Sequence, residues 1–309
     1  MKKAFFIALL LASGSTAVTQ IQDWQPSPGH TQIAIWPGKV PDAVPVRGQE
    51  YTEKVGEEPP GAVVVGKVSR PTMTVYSPKG SNSGAAVVVF PGGGYWVLYM
   101  DLEGSDVCDW LTSKGITCVL LKYRVPGEHL SPRSGAYPKS PAALEDAQRT
   151  VGLVRFHAAE WGIDPNKIGV LGFSAGGHLV AAVSTHFKHR LYKSVDAADG
   201  ASCRPDFGVA LYPGHMLENT SKHFQLNPYV PVTKETPPMF LLQAEDDPID
   251  TVTNSLVYYS ALKDAGVPVE MHLYAHGGHG FGLRRTKMPI TEWPPLVERW
   301  LRSIGITPE

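Results

Sequence analysis

Gly172, Ser174 and Gly176 form a GxSxG pattern inside VLGFSAGGHLVAA, residues 170–182, where an aliphatic run gives way to small residues. A serine hydroxyl is a weak nucleophile until a histidine accepts its proton and an acid orients that histidine. Both partners follow in that order. FLLQAEDDPID ends an apolar run in Asp246, Asp247 and Asp250, and LYAHGGHGFG ends the next in His276 and His279. Asp247 is the preferred acid of the three, because it stands just past the run and Pro248 then fixes a turn. His279 is preferred to His276, since the flanking Gly278 and Gly280 permit close approach to a neighbouring loop. Such a set performs acyl transfer through a covalent serine ester.

That chemistry also needs donors for an oxyanion. FPGGGYW, residues 90–96, places three glycines after an apolar run, where successive amides can turn inward. The expected donors are the N–H groups of Gly93, Gly94 and Ala175, the last at the start of a helix whose positive dipole end faces the serine. The plainer alternatives are a glycine-rich turn used only for packing and an ordinary strand-to-helix connection. Tyr95 and Trp96, with Tyr99 and Tyr137, either line a substrate cleft or pack in the core; the residue types fit both. A metal centre made of His272, His276 and His279 is disfavoured, because no acid shares the cluster and no HExxH occurs. No metal or organic cofactor is expected. His157 and His178 fall on helices and read as packing or surface residues.

For Ser174, Asp247 and His279 to meet, each must end a strand of one sheet. AAVVVFPGGG, ITCVLLKYRV, KIGVLGFS, FGVALYP, PMFLLQAE and PVEMHLYAH are short apolar, β-branched runs. Between them lie helical patterns at 101–115, 141–161, AGGHLVAAVSTHF and DTVTNSLVYYSALKDAG, with PPLVERWLRSIG closing the chain. The alternation predicts an α/β fold with a mostly parallel central sheet, helices on both faces, and ligands beyond the carboxyl ends of the strands.

MKKAFFIALLLASGSTAVTQ reads as a secretory signal, residues 1–17, with cleavage after Ala17; Phe5 to Ala12 is too short to span about 30 Å of hydrocarbon. Residues 18–60, rich in Pro and Gly, read as an extended N-terminal arm, and 61–309 as one catalytic domain. The expected location is outside the cytoplasm, periplasmic or extracellular, with no membrane contact once the signal is removed. A net charge of −1 and a pI near 6.8, without basic blocks, give no footprint for nucleic acid. A small-molecule or polysaccharide acyl ester suits the chemistry better; the oligomeric state is left open. Cys108, Cys118 and Cys203 are an odd set, so at least one thiol is unpaired within the chain, and Cys108 and Cys118 are expected as buried small hydrophobes in preference to a disulfide.

With serine, acid, histidine and glycine loop in this order, the chain resembles the α/β-hydrolase superfamily. Within it, WPGKVPD, PTMTVYSP, PGGGYWVL, GFSAGGH, PPMFLLQAEDDP and HGGHGFG look like the bacterial carbohydrate esterases of the acetyl xylan esterase and feruloyl esterase (BD-FAE-like) type. The resemblance spans nearly all of the chain after residue 17 and implies hydrolysis of acyl esters on plant hemicellulose, acetyl first and feruloyl second. One departure stands out: esterases of the hormone-sensitive lipase type show HGGG, and Pro91 here replaces that histidine. Residues 215–236 are only a short excursion, so no large lid and no triacylglycerol lipase are expected. A serine peptidase of the prolyl-oligopeptidase type shares the order of the three residues, but its accessory domain would not fit in the irregular N-terminal stretch. A binding module on a decayed scaffold would lack one of the pieces found here.

Overall fold

Runs that are apolar on both faces are satisfied in the middle of a covered sheet. In the computed structural model, which describes residues 23–43, 46–56, 61–129, 131, 134–218 and 224–308, that is where they lie. The signal reading of residues 1–17 lies outside the described residues.

In chain order the strands of the main sheet are β1 (Gln32–Ala34), β4 (Thr72–Tyr76), β5 (Ala86–Phe90), β7 (Thr117–Lys122), β8 (Ile168–Phe173), β9 (Gly208–Leu211), β10 (Met239–Ala244) and β11 (Val269–Tyr274). A second, antiparallel sheet holds β2 (Tyr51–Val55), β3 (Ala62–Gly66) and β6 (Val97–Tyr99). The main order is β1-β4-β7-β5-β8-β9-β10-β11, parallel from β7 to β11, with β4 antiparallel to β7 and β1 antiparallel to β4 at one edge. Every residue of β5, β7, β8 and β10 is buried, whereas β11 at the other edge is only partly covered.

Among the described residues, five α-helices connect and cover the strands: α1 (Asp106–Ser113), α2 (Ala142–Phe156), α3 (Ala175–Thr185), α4 (Thr253–Asp264) and α5 (Pro294–Ser303). α2 packs on α3. α1 and α5 meet through Trp110, whose Nε1–H donates to Glu298 at 2.9 Å and whose ring stands edge-on to Trp293. The chain runs from β5 through α1 to β7 on one side, then through α2 to β8 on the other. That reversal puts a crevice between the carboxyl ends of β5 and β8, the position where open α/β sheets bind ligands.

Three differences from the sequence reading have local causes. The helix expected from 101 begins as a wide turn, Asp101–Ser105, closed by Ser105 N–H donating to the Met100 carbonyl at 2.9 Å. The stretch read as an arm contributes β1 to the main sheet and β2 to the small one, and Trp24, Ile35 and Trp36 are buried. Trp36 is fixed by donating to Asp146, which also takes the Arg124 guanidinium.

Cys108 and Cys118 are joined in a disulfide, correcting the expectation of two separate buried thiols. Both do face the core, but the tight return from α1 to β7 brings them together, with their Cα atoms 5.1 Å apart. Cys203 is the free, buried thiol.

Candidate active site

Ser174 follows β8 at φ 52° and ψ −119°, a conformation that non-glycine residues avoid. The turn holds because its neighbours have no side chain to collide. A Cβ on Gly172 would lie 2.2 Å from the Gly176 carbonyl oxygen, and one on Gly176 would lie 2.0 Å from that of Phe90. The two outer glycines of GxSxG are therefore required by contact, and they aim the serine out of the sheet at the crevice.

His279 lies on the loop after β11 and Asp247 on the loop after β10. The His279 Nδ1–H donates to Asp247 Oδ2 at 2.7 Å, which leaves Nε2 to accept from the Ser174 hydroxyl at 3.0 Å. Asp247 is itself fixed: its other oxygen accepts from the backbone N–H groups of Ile249 and Asp250, and Gln243 Nε2 donates to Oδ2. The structure thus brings Ser174, His279 and Asp247 together. It sends the rival residues elsewhere: His276 pairs with Asp246 at 3.2 Å, and His272 with Glu270 at 2.8 Å. Among the described residues no three His, Cys, Asp or Glu side chains are grouped to hold a metal ion.

Burial alone would lower the His279 pKa, but the carboxylates of Asp247, Asp250 and Glu103 outweigh it and hold the imidazole above its ordinary value. A histidine so placed is a stronger base, and the imidazolium it becomes is stabilised.

The glycine loop after β5 lies against the serine. A Cβ on Gly92 would stand 3.0 Å from that of Ser174 and 2.6 Å from Glu103 Oε2. Gly93 and Gly94 take φ 129° and 62°. The Gly92 N–H is engaged, donating to Glu103 at 2.7 Å, whereas the N–H groups of Gly93, Gly94 and Ala175 donate to no acceptor among the described residues. They are the groups free to receive an oxyanion.

Two residues that sequence reasoning did not single out organise this site. Glu103, buried in the wide turn before α1, accepts from Gly92 N–H through one oxygen and from the Tyr212 hydroxyl at 2.8 Å through the other. The Tyr212 oxygen in turn accepts from Gly282 N–H at 3.0 Å, and its ring packs edge-on to His279. One carboxylate therefore ties the glycine loop to the histidine loop. Burial pushes its pKa up, against the pull of those two donors and His279. The other residue is Asp250, weighed above only as the possible acid: its Oδ2 stands 3.3 Å from Ser174 Oγ and 3.9 Å from His279 Nε2.

Tyr95 does not line the cleft. It is 4% exposed, with φ 63° turning it inward, and its hydroxyl meets His178 Nδ1 at 2.7 Å. Trp96 is half-buried beside His129 at the rim. The open space beyond Gly94 is a cleft of about 770 Å³ whose walls include His129, Tyr137, Lys139, His215 and Tyr229. The segment between β9 and β10 that borders it contains no helix among the described residues.

A parallel sheet with a serine on a strained strand-to-helix turn, and an acid and a histidine on the two following loops, defines an α/β-hydrolase. Comparison with known proteins agrees. The BD-FAE family model matches residues 73–212, covering the glycine loop and Ser174, and the Prolyl oligopeptidase family model matches 145–293, covering Ser174, Asp247 and His279. The chain is 34% identical to the acetyl ester-xyloside bifunctional hydrolase of Caldicellulosiruptor lactoaceticus, whose solved structure superposes with a TM-score of 0.72, covering 90% of this chain and 97% of that one. It is 32% identical over 72% of its length to the acetylxylan esterase of Xylanibacter ruminicola, and 29% identical over 63% to the endo-1,4-beta-xylanase B of Butyrivibrio fibrisolvens. It spans 46% of the first relative and 32% of the second. The chain belongs to the α/β-hydrolase superfamily, among its carboxylic ester hydrolases.

Proposed function

We propose that this protein is an exported serine esterase that removes short acyl groups, acetyl above all, from xylan or xylo-oligosaccharides. The observation that carries the chemistry is the unbroken chain from Ser174 Oγ to His279 Nε2 and from His279 Nδ1 to Asp247, at 3.0 and 2.7 Å, beside the Gly93, Gly94 and Ala175 amides, which donate to no acceptor among the described residues. His279 takes the Ser174 proton as Oγ attacks the ester carbonyl. The Gly93, Gly94 and Ala175 amides hold the oxyanion, and Asp247 keeps the imidazole in the tautomer that can accept. The leaving alcohol takes the proton from His279. Water, activated by the same histidine, then releases the acyl group and restores Ser174. The names of the relatives support the choice of acetyl and xylan; the cleft beyond Gly94 gives the room that a sugar chain needs.

The test is acetate release from acetylated xylan by residues 18–309 and by Ser174→Ala, beside p-nitrophenyl acetate and methyl ferulate. Acetate from xylan with the wild type and none with the variant is the expected result. Release of ferulate alone would replace acetyl by feruloyl as the natural acyl group. A folded wild-type protein inert toward all three esters would overturn the proposal.

A further inference from the structure

The Ser174 hydroxyl has one proton and two acceptors within reach, His279 Nε2 at 3.0 Å and Asp250 Oδ2 at 3.3 Å. In the reactive arrangement that proton belongs to His279. Asp250 then keeps no donor to its carboxylate among the described residues, although it stands half-buried beside the nucleophile. A carboxylate in such a place is held at a cost unless a donor arrives.

Its seat is built. The Asp250 N–H is held by Asp247 at 2.9 Å and its carbonyl by Gln243 at 2.8 Å. A Cβ on Gly214 would come within 2.5 Å of Asp250 Oδ1, so the glycine makes room for this carboxylate. The neighbouring His215 opens onto the cleft. The charged and titratable groups around Asp250 are thus Asp247, His279 and His215.

The position also says which part of a substrate it meets. His279 Nε2 must reach the oxygen of the departing alcohol to protonate it, and Asp250 Oδ2 lies 3.9 Å from that nitrogen. It therefore faces the alcohol half of the ester, where a hydroxyl on the adjacent carbon sits one hydrogen-bond length from the ester oxygen. We propose that Asp250 determines specificity by accepting a hydrogen bond from that hydroxyl, so that monoesters of vicinal diols are the preferred substrates. Partly acetylated pyranose rings belong to this class, and to that extent the inference rests on the proposed esterase reaction.

The test pairs trans-cyclohexane-1,2-diol monoacetate with trans-2-methoxycyclohexyl acetate, which cannot donate, and compares kcat/KM in wild type, Asp250→Asn and Asp250→Ala. The wild type is expected to favour the diol ester by about 10- to 100-fold, the range of a hydrogen bond to a charged group. The preference should shrink in Asp250→Asn and vanish in Asp250→Ala. Because the readout is a ratio within one protein sample, partial misfolding cancels. An equal ratio in all three proteins overturns the proposal and leaves the esterase reading intact. Hydrolysis of p-nitrophenyl acetate but of neither ring ester does the same. A folded wild type inert toward every ester overturns both.

Discussion

Glu103→Gln isolates the tie between the glycine loop and the histidine loop. The substitution preserves shape but turns two acceptor oxygens into one acceptor and one amide donor. The acceptor can keep the Gly92 N–H. The amide then faces the Tyr212 oxygen, which already accepts from Gly282 N–H, so the hydroxyl proton loses its partner. One charge-assisted hydrogen bond of about 1.5–3 kcal/mol is lost. At about 1.4 kcal/mol per tenfold in rate, the ceiling on the effect is on the order of 10- to 100-fold in kcat. Donors aimed at an oxyanion act in the transition state, so KM should stay near its wild-type value. Steady-state kinetics on p-nitrophenyl acetate measure both constants. Tyr212→Phe breaks the same chain from its other end, and the double variant should lose no more than the worse single variant. A kcat within twofold of wild type, a loss carried entirely by KM, or additive losses would each refute the reasoning.

His279 must be neutral to take the serine proton, and its pKa lies above the ordinary 6.5, so kcat/KM should begin to fall above that pH as acid is added. Replacing Asp250 by Asn removes one of the carboxylates that raise it, and the acid limb of the pH profile should move to lower pH; an unmoved limb would contradict the assignment. Removing the disulfide as Cys108→Ala with Cys118→Ala should lower stability by about 2–3 kcal/mol, from the short loop it closes, read as the change in unfolding free energy from urea curves. Reductant should then leave the variant's midpoint alone while lowering that of the wild type.

The serine, the histidine and the acid were readable in sequence because their chemistry prescribes an order along the chain and their turns prescribe glycines. The collisions found at Gly172 and Gly176 are the physical content of that pattern. Glu103 was not readable. In DLEGS it looks like any acid at a helix start, and its two partners, Gly92 and Tyr212, come from other segments of the chain, the second itself held by Gly282. Asp250 was visible only as a rival for the role of Asp247, since spacing along the chain does not tell which acid meets Nδ1 and which the serine. Tyr95 and Trp96 are adjacent in sequence with opposite fates, decided by a positive φ at Tyr95. Hydrophobicity placed Cys108 and Cys118 in the core, but not against each other. The parallel strands were legible from apolar runs, as was β3 in AVVVG, whereas β2 is half-buried and β6 is only three residues long, and neither carries such a signal.

The glycine loop leaves the large sheet at β5 and enters the small one at β6, where Leu98 pairs with Val65, and Met100 N–H then donates to the Val63 carbonyl at 2.9 Å. A segment stitched at both ends into pleated structure has no melting event of its own; the smallest cooperative unit that contains it includes both sheets. Heat should therefore silence the enzyme and unfold it at one and the same temperature, and the thermal range of its activity should extend to the edge of its fold.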